Sequence, residues 1–162
     1  MAPRKKPRDV EAGEVWAKIV SFRPKYYISR SGIADDCRID DEAQLEVVAI
    51  IDAISAAQGK HVGQEMDISL LATESYTPRE FTTPKFFGSV NMRGSHRSAM
   101  AYLPSAPFWA LPDLICGRDA WVCFGWEPMH RGYGQLTSFF IGDAEDRRSL
   151  LELGGNRLVT QT

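Results

Sequence analysis

Residues 119–143 read Asp-Ala-Trp-Val-Cys-Phe-Gly-Trp-Glu-Pro-Met-His-Arg-Gly-Tyr-Gly-Gln-Leu-Thr-Ser-Phe-Phe-Ile-Gly-Asp. Successive side chains on a strand point to opposite faces. Ala120, Val122, Phe124 and Trp126 therefore share one face, and Trp121, Cys123, Gly125 and Glu127 the other. Both faces stay apolar until Glu127, which predicts a strand covered on both sides with its tip reaching water. The return run puts Leu136, Ser138 and Phe140 on one face and Thr137, Phe139 and Ile141 on the other. Pro128 cannot donate to a ladder, and Gly132 and Gly134 can supply the positive φ angles of a reversal. The stretch predicts a β-hairpin at the centre of the core, with Met129, His130, Arg131 and Tyr133 at an exposed tip.

On the N-terminal side of this hairpin the same alternation recurs. Val15, Ala17 and Ile19 oppose Trp16, Lys18, Val20 and Phe22, and Pro24 interrupts this strand before Tyr26-Tyr27-Ile28. Met66, Ile68 and Leu70 alternate with Asp67, Ser69 and Leu71. Lys85 to Met92 and Arg97 to Leu103 flank the short turn Arg93-Gly94-Ser95-His96, a second hairpin signal. Residues 44–57 are ambiguous. Val47, Ile50, Ile51 and Ile54 have helical spacing, and Asp41 with Gln44 resembles a capping box. Yet the segment is rich in β-branched residues, which favour extended structure. A strand over Leu45–Ile54 is expected, with a helix at 41–58 as the alternative.

Pro104 to Gly117 has a different composition. Ser105 can cap, Pro107 suits a first helical turn, and Pro112 should stop anything long. One or two helical turns plugging the β core are expected, with Phe108-Trp109 either packed inside or presented to a partner. Residues 144–153 predict a short helix capped by Asp143 and stopped at Gly154-Gly155, followed by a frayed tail. The expected fold is mostly β: an antiparallel sandwich or partly open barrel of six to eight strands with one short helical plug. The alternative is α+β, with the helix at 41–58. The expected organisation is a basic tail over 1–12, one β-rich domain over 13–143, and a helix and tail over 144–162.

At 162 residues the chain suits one domain with a core large enough to need no cross-links. Apolar content of 44% with a net charge of −2 is that of an ordinary globular protein and announces neither a nucleic-acid nor a membrane partner. Three cysteines, Cys37, Cys116 and Cys123, show no Cys-x-x-Cys spacing. That argues against a disulfide framework or zinc ribbon and fits a cytoplasmic location. Cys116 and Cys123 read as small core residues. The basic start lacks an apolar segment behind it, so it is no secretory signal. The acidic run Asp35, Asp36, Asp40, Asp41, Glu42 does not have the spacing of a calcium loop. No nucleophile elbow, Walker loop or dinucleotide fingerprint is present, and no histidine has a second ligand at helical spacing. No cofactor, metal or catalytic residue is assigned, and a non-enzymatic role is expected.

Two groups of candidate binding residues remain. The first lies on turns: Arg93, His96 and Arg97, then His130, Arg131 and Tyr133, with Lys60 and His61 on a further connection. If these turns share one end of the β structure they form a basic patch suited to a phosphate or an acidic protein surface. The second is Arg23, Lys25, Tyr26 and Tyr27, basic residues beside aromatics, which with the Arg93–Arg97 turn and the Arg4, Lys5, Lys6 and Arg8 tail would suit single-stranded nucleic acid. The expected function is a non-catalytic accessory or adaptor domain that binds a protein partner, or a second copy, through loops and edge strands. A single-stranded nucleic-acid-binding barrel is the alternative, and an enzyme with a dispersed site comes third.

Overall fold

The computed structural model describes residues 12–31, 38–73, 88–127, 130–154 and 158–160. The basic tail over 1–11, Cys37 with Asp35 and Asp36, the threonine- and proline-rich loop from Glu74, and Pro128 and Met129 lie outside the described residues, while Asp40, Asp41 and Glu42 of the acidic run fall in a strand rather than in a loop. Eight strands are described: β1 (Gly13–Ser31), β2 (Arg38–Ser55), β3 (Glu65–Thr73), β4 (Gly88–Asn91), β5 (Ser98–Pro104), β6 (Ala120–Trp126), β7 (Tyr133–Asp143) and β8 (Leu158–Thr160). Their neighbour order is β1-β6-β7-β4-β5-β3-β2, and β2 pairs back onto β1. The fold is mostly β with short helices, as expected, but the barrel is closed rather than partly open, with seven strands joined in a ring. Closure satisfies the edges that an open sheet would leave exposed. Leu158–Thr160, expected to fray, pairs instead with Ala53–Ser55 of β2.

One pair, β3–β5, is parallel; the other described neighbours are antiparallel. Each barrel strand runs opposite to the one before it in sequence. Odd-numbered strands thus run one way, and β3 meets β5 in parallel because β4 lies on the far side of β5.

Segment 44–57 is strand, not helix. Leu45, Val47, Ala49, Ile51 and Ile54 all face the barrel interior. The step of three between Ile51 and Ile54 comes from a bulge: Ala17 pairs with Ile51 and Trp16 with Ala53, leaving Asp52 as the extra residue. That bulge produces the helix-like spacing. A second bulge leaves Val20 unpaired in β1, so Phe22 turns inward with Val15, Ala17 and Ile19 instead of joining Trp16 and Lys18. A third, opposite Gly125–Trp126, adds Thr137 to β7 and brings Phe139 and Ile141 to the inner face with Leu136. The faces expected for Phe22 and for the far half of β7 are corrected accordingly.

In the central hairpin β6 is covered on both faces, every residue of it buried, whereas β7 exposes Tyr133, Gln135, Thr137 and Ser138. Val122, Phe124 and Trp126 fill the interior, while Trp121 and Cys123 join Trp16 and Ala53 in an outer cluster. The plug is α1 (Ser105–Ile115), longer than expected. Phe108, Leu111 and Ile115 enter the core, whereas Trp109 stays 56% exposed. Pro104 occupies the N-cap position and Ser105 makes no capping bond. Pro112 falls inside the helix; its carbonyl accepts from Cys116 N–H at 2.8 Å, so the last turn still closes. Cys116 is exposed just beyond, which corrects its expected core placement, while Cys123 is buried as expected.

The C-terminal helix, α2 (Ala144–Gly154), packs on β6 and β7 outside the barrel. Asp143 Oδ1 accepts from the backbone N–H groups of Glu145 at 2.9 Å and Asp146 at 3.1 Å, and Asp146 Oδ2 accepts from Asp143 N–H. This is a reciprocal capping box. The guanidinium of Arg147 lies 4.3 Å from the Trp121 ring centroid and is ion-paired with Asp52.

Candidate functional site: the turn end of the barrel

Because strand direction alternates along the chain, β2, β4 and β6 all arrive at the same end of the barrel and β3, β5 and β7 all leave from it. The three candidate turns therefore share that end. They are also bonded to one another. Met92 N–H donates to the Gly132 carbonyl at 2.8 Å. Arg97 donates from Nε to the Glu65 carbonyl at 2.7 Å and from Nη1 to Gln64 Oε1 at 2.5 Å. Gln64 Nε2 donates in turn to the Lys60 carbonyl at 3.0 Å.

The β6–β7 tip is a tight reversal. His130 and Tyr133 exchange both backbone hydrogen bonds, at 2.8 and 3.0 Å, leaving Arg131 and Gly132 as the turn residues. Their φ angles are +52° and +80°, the two positive values that a type I′ hairpin requires. Arg131, rather than the expected Gly134, thus supplies one of the reversing angles. A non-glycine residue there costs about 1–2 kcal/mol. A Cβ built on Gly132 would lie 2.7 Å from Cγ of Arg93, so the tip sits directly against the β4–β5 turn.

The electrostatics separate this end from the barrel wall. Lys18, Arg23, Lys25 and Arg147 each have a carboxylate partner. Among the described residues, Lys60, Arg93, Arg97 and Arg131 have none; Arg118, just before β6, and Arg148, on α2, are also without one but lie apart from this end. All three histidines of the chain, His61, His96 and His130, are here too. His96 Nδ1 is 3.8 Å from Asp67 Oδ2. His61 lies at the end of the 3-10 turn Ala56–His61 and is buried. Burial holds its pKa below the ordinary value, and Lys60 and Arg97 act in the same direction; Gln64 and the Met92 backbone partly oppose them. The acidic side chains described at this end are Glu14, Glu65, Asp67 and Glu127.

Arg23, Lys25, Tyr26 and Tyr27 are not brought to this site. They lie on the part of β1 beyond Lys18, where, among the described residues, β1 is paired with β2 alone. Lys25 is opposite Gln44, which is opposite Leu71, four residues along β3 from the Asp67–Ser98 pair. At about 3.3 Å per residue the tyrosines are roughly 15–20 Å from the turn end. Arg23 donates to Glu46 at 2.8 Å and Lys25 also pairs with Glu46. Those contacts raise the Arg23 pKa and lower that of Glu46. Val20, Tyr26, Tyr27 and Ile28 are exposed along this ribbon, a row of apolar surface that the sequence alternation alone did not mark as solvent-facing. Pro24, opposite Leu45, has no N–H to offer to a ladder, yet the strand stays paired with β2 on either side of it.

Among the described residues no three His, Cys, Asp or Glu side chains converge as a metal site, and no helix is long and apolar enough to cross a membrane. No protein-family model, curated protein or solved structure matches the chain.

Proposed function

We propose that the chain is a non-catalytic binding module whose turn end docks an acidic surface of a protein partner. The observation that carries this is the contrast in pairing. Lys18, Arg23, Lys25 and Arg147 are neutralised by neighbouring carboxylates and Arg118 and Arg148 stand unpaired elsewhere, while Lys60, Arg93, Arg97 and Arg131 cluster at one end without such partners among the described residues. Opposite charge across an interface steers encounter and fixes register, and arginine forks match carboxylate geometry. Loop tips mounted on a closed barrel give such a face a rigid base. The nucleic-acid alternative loses support, because its aromatic pair and its turn cations lie at different ends and Arg23 and Lys25 are committed to Glu46.

The test is titration with a glutamate-rich peptide at low and at moderate salt. Saturable binding that weakens with salt, is abolished in Arg93→Glu/Arg131→Glu, and survives in Arg118→Glu supports this role. Arg118 lies just before β6, at the opposite end. Absence of binding at low salt, or equal loss in Arg118→Glu, rejects it.

A further inference from the structure

We infer that Lys60, His61, Gln64 and Arg97 form a binding site for a phosphate monoester carried by the protein partner, a proposal that rests on the docking role above. His61 is 2% exposed, and neither ring nitrogen has a hydrogen-bond partner. Buried polar atoms are almost always paired, so an orphaned imidazole calls for a specific cause. The charged groups acting on it are Lys60 and Arg97, both cations; the Gln64 side chain and the Met92 backbone approach the ring as polar neighbours but without hydrogen-bond geometry. No carboxylate is among them. A buried ring under the influence of two cations suits a bound anion.

The Gln64 amide and the Arg97 guanidinium are already held in place. One amide, Gln64, bonds the Lys60 carbonyl through Nε2 and the Arg97 guanidinium through Oε1. Arg97 is fixed a second time by the Glu65 carbonyl. Two of its five N–H groups are engaged, which leaves three to donate, alongside the Lys60 ammonium and one N–H of a neutral imidazole. A phosphate monoester brings close to two negative charges and three acceptor oxygens. A carboxylate brings one charge and two oxygens, and would leave more of these donors unused. A nucleic-acid strand would need a series of stacking aromatics; Tyr133 is the exposed aromatic of this end among the described residues, and Tyr26 and Tyr27 lie elsewhere.

The experiment tracks the ring nitrogens of His61 by NMR in the full chain during titration with inorganic phosphate, at constant ionic strength set with chloride. A saturable shift is expected, with the His61 midpoint moving to higher pH because a nearby dianion favours the imidazolium. Lys60→Gln, an exposed substitution that leaves the barrel untouched, and Arg97→Gln are each expected to weaken phosphate at least about tenfold. A phosphoserine peptide should then compete with phosphate more strongly than its serine counterpart. No saturable His61 shift, or the same shift with chloride alone, overturns the site. Equal binding of the serine peptide overturns the phosphate assignment while leaving acidic docking intact. A short single-stranded oligonucleotide that shifts His61 where the phosphopeptide does not would overturn the monoester in favour of a nucleic acid.

Discussion

Arg97 of the β4–β5 turn donates to Gln64, the residue just before β3, at 2.5 Å. That one bond joins two of the three connections at the turn end, and through the Gln64–Lys60 bond it extends to the 3-10 turn. Gln64→Ala removes both contacts. Since the groups are exposed, its effect on global stability should stay within about 1 kcal/mol. Its effect on binding of an acidic peptide should be larger, because Arg97 loses its preset position. Paired denaturant melts and peptide titrations check this; a stability loss without a binding loss would assign Gln64 to the fold alone.

Gly132→Ala places a methyl 2.7 Å from Arg93 Cγ at a φ of +80°. A loss of about 1–3 kcal/mol is expected. Arg131→Asn keeps the turn and eases the left-handed conformation, so it should raise stability by up to about 1 kcal/mol while weakening acidic-peptide binding. Opposite signs for stability and binding at one residue would show that the turn gives up stability for charge placement. Denaturant midpoints at unchanged m-value are the readout.

Trp121 is 8% exposed beneath the Arg147 guanidinium, and its loss empties the outer cluster. Trp121→Ala should cost about 3–5 kcal/mol. Arg147→Met, which keeps much of the packing but removes the Asp52 pair, should cost less, on the order of 1–3 kcal/mol. Chemical denaturation of both variants ranks them; the reverse order would mean the ion pair, rather than the buried ring, anchors α2.

His61 has a folded pKa depressed below the ordinary 6.5. The unfolded chain therefore binds the extra proton first, and stability is lost as pH falls from about 7 through the depressed folded value. His61→Gln removes that component. The variant's stability should change less between pH 7 and 5 than that of the wild type; identical slopes would mean that the ring is not held neutral. Melts at several pH values, with phosphate absent, provide the comparison.

The central hairpin was legible in the sequence because β6 alternates without interruption and both of its faces are apolar. The bulges were not. Asp52, Val20 and Thr137 each add one residue to a strand, and nothing in their local composition marks them, although each reverses the facing of the later residues in its strand. Closure was equally hidden, since pairing of β1 with both β2 and β6 is a long-range property. The meeting of the turns was closer to reach. Strand order does not decide it; alternating direction does, and every even-numbered barrel strand ends where the next odd-numbered one begins. The exposure of Trp109 beside the buried Phe108 was beyond pattern reading, because both are aromatic and adjacent on one helix.

The most direct measurement is a chemical-shift map of the 15N-labelled full chain titrated with the glutamate-rich peptide. Shifts confined to residues 60–65, 92–97 and 130–133, saturating together with one affinity, are expected if these connections act as a single docking face. Shifts centred on Val20 to Ile28, or three connections titrating with unrelated affinities, would contradict it.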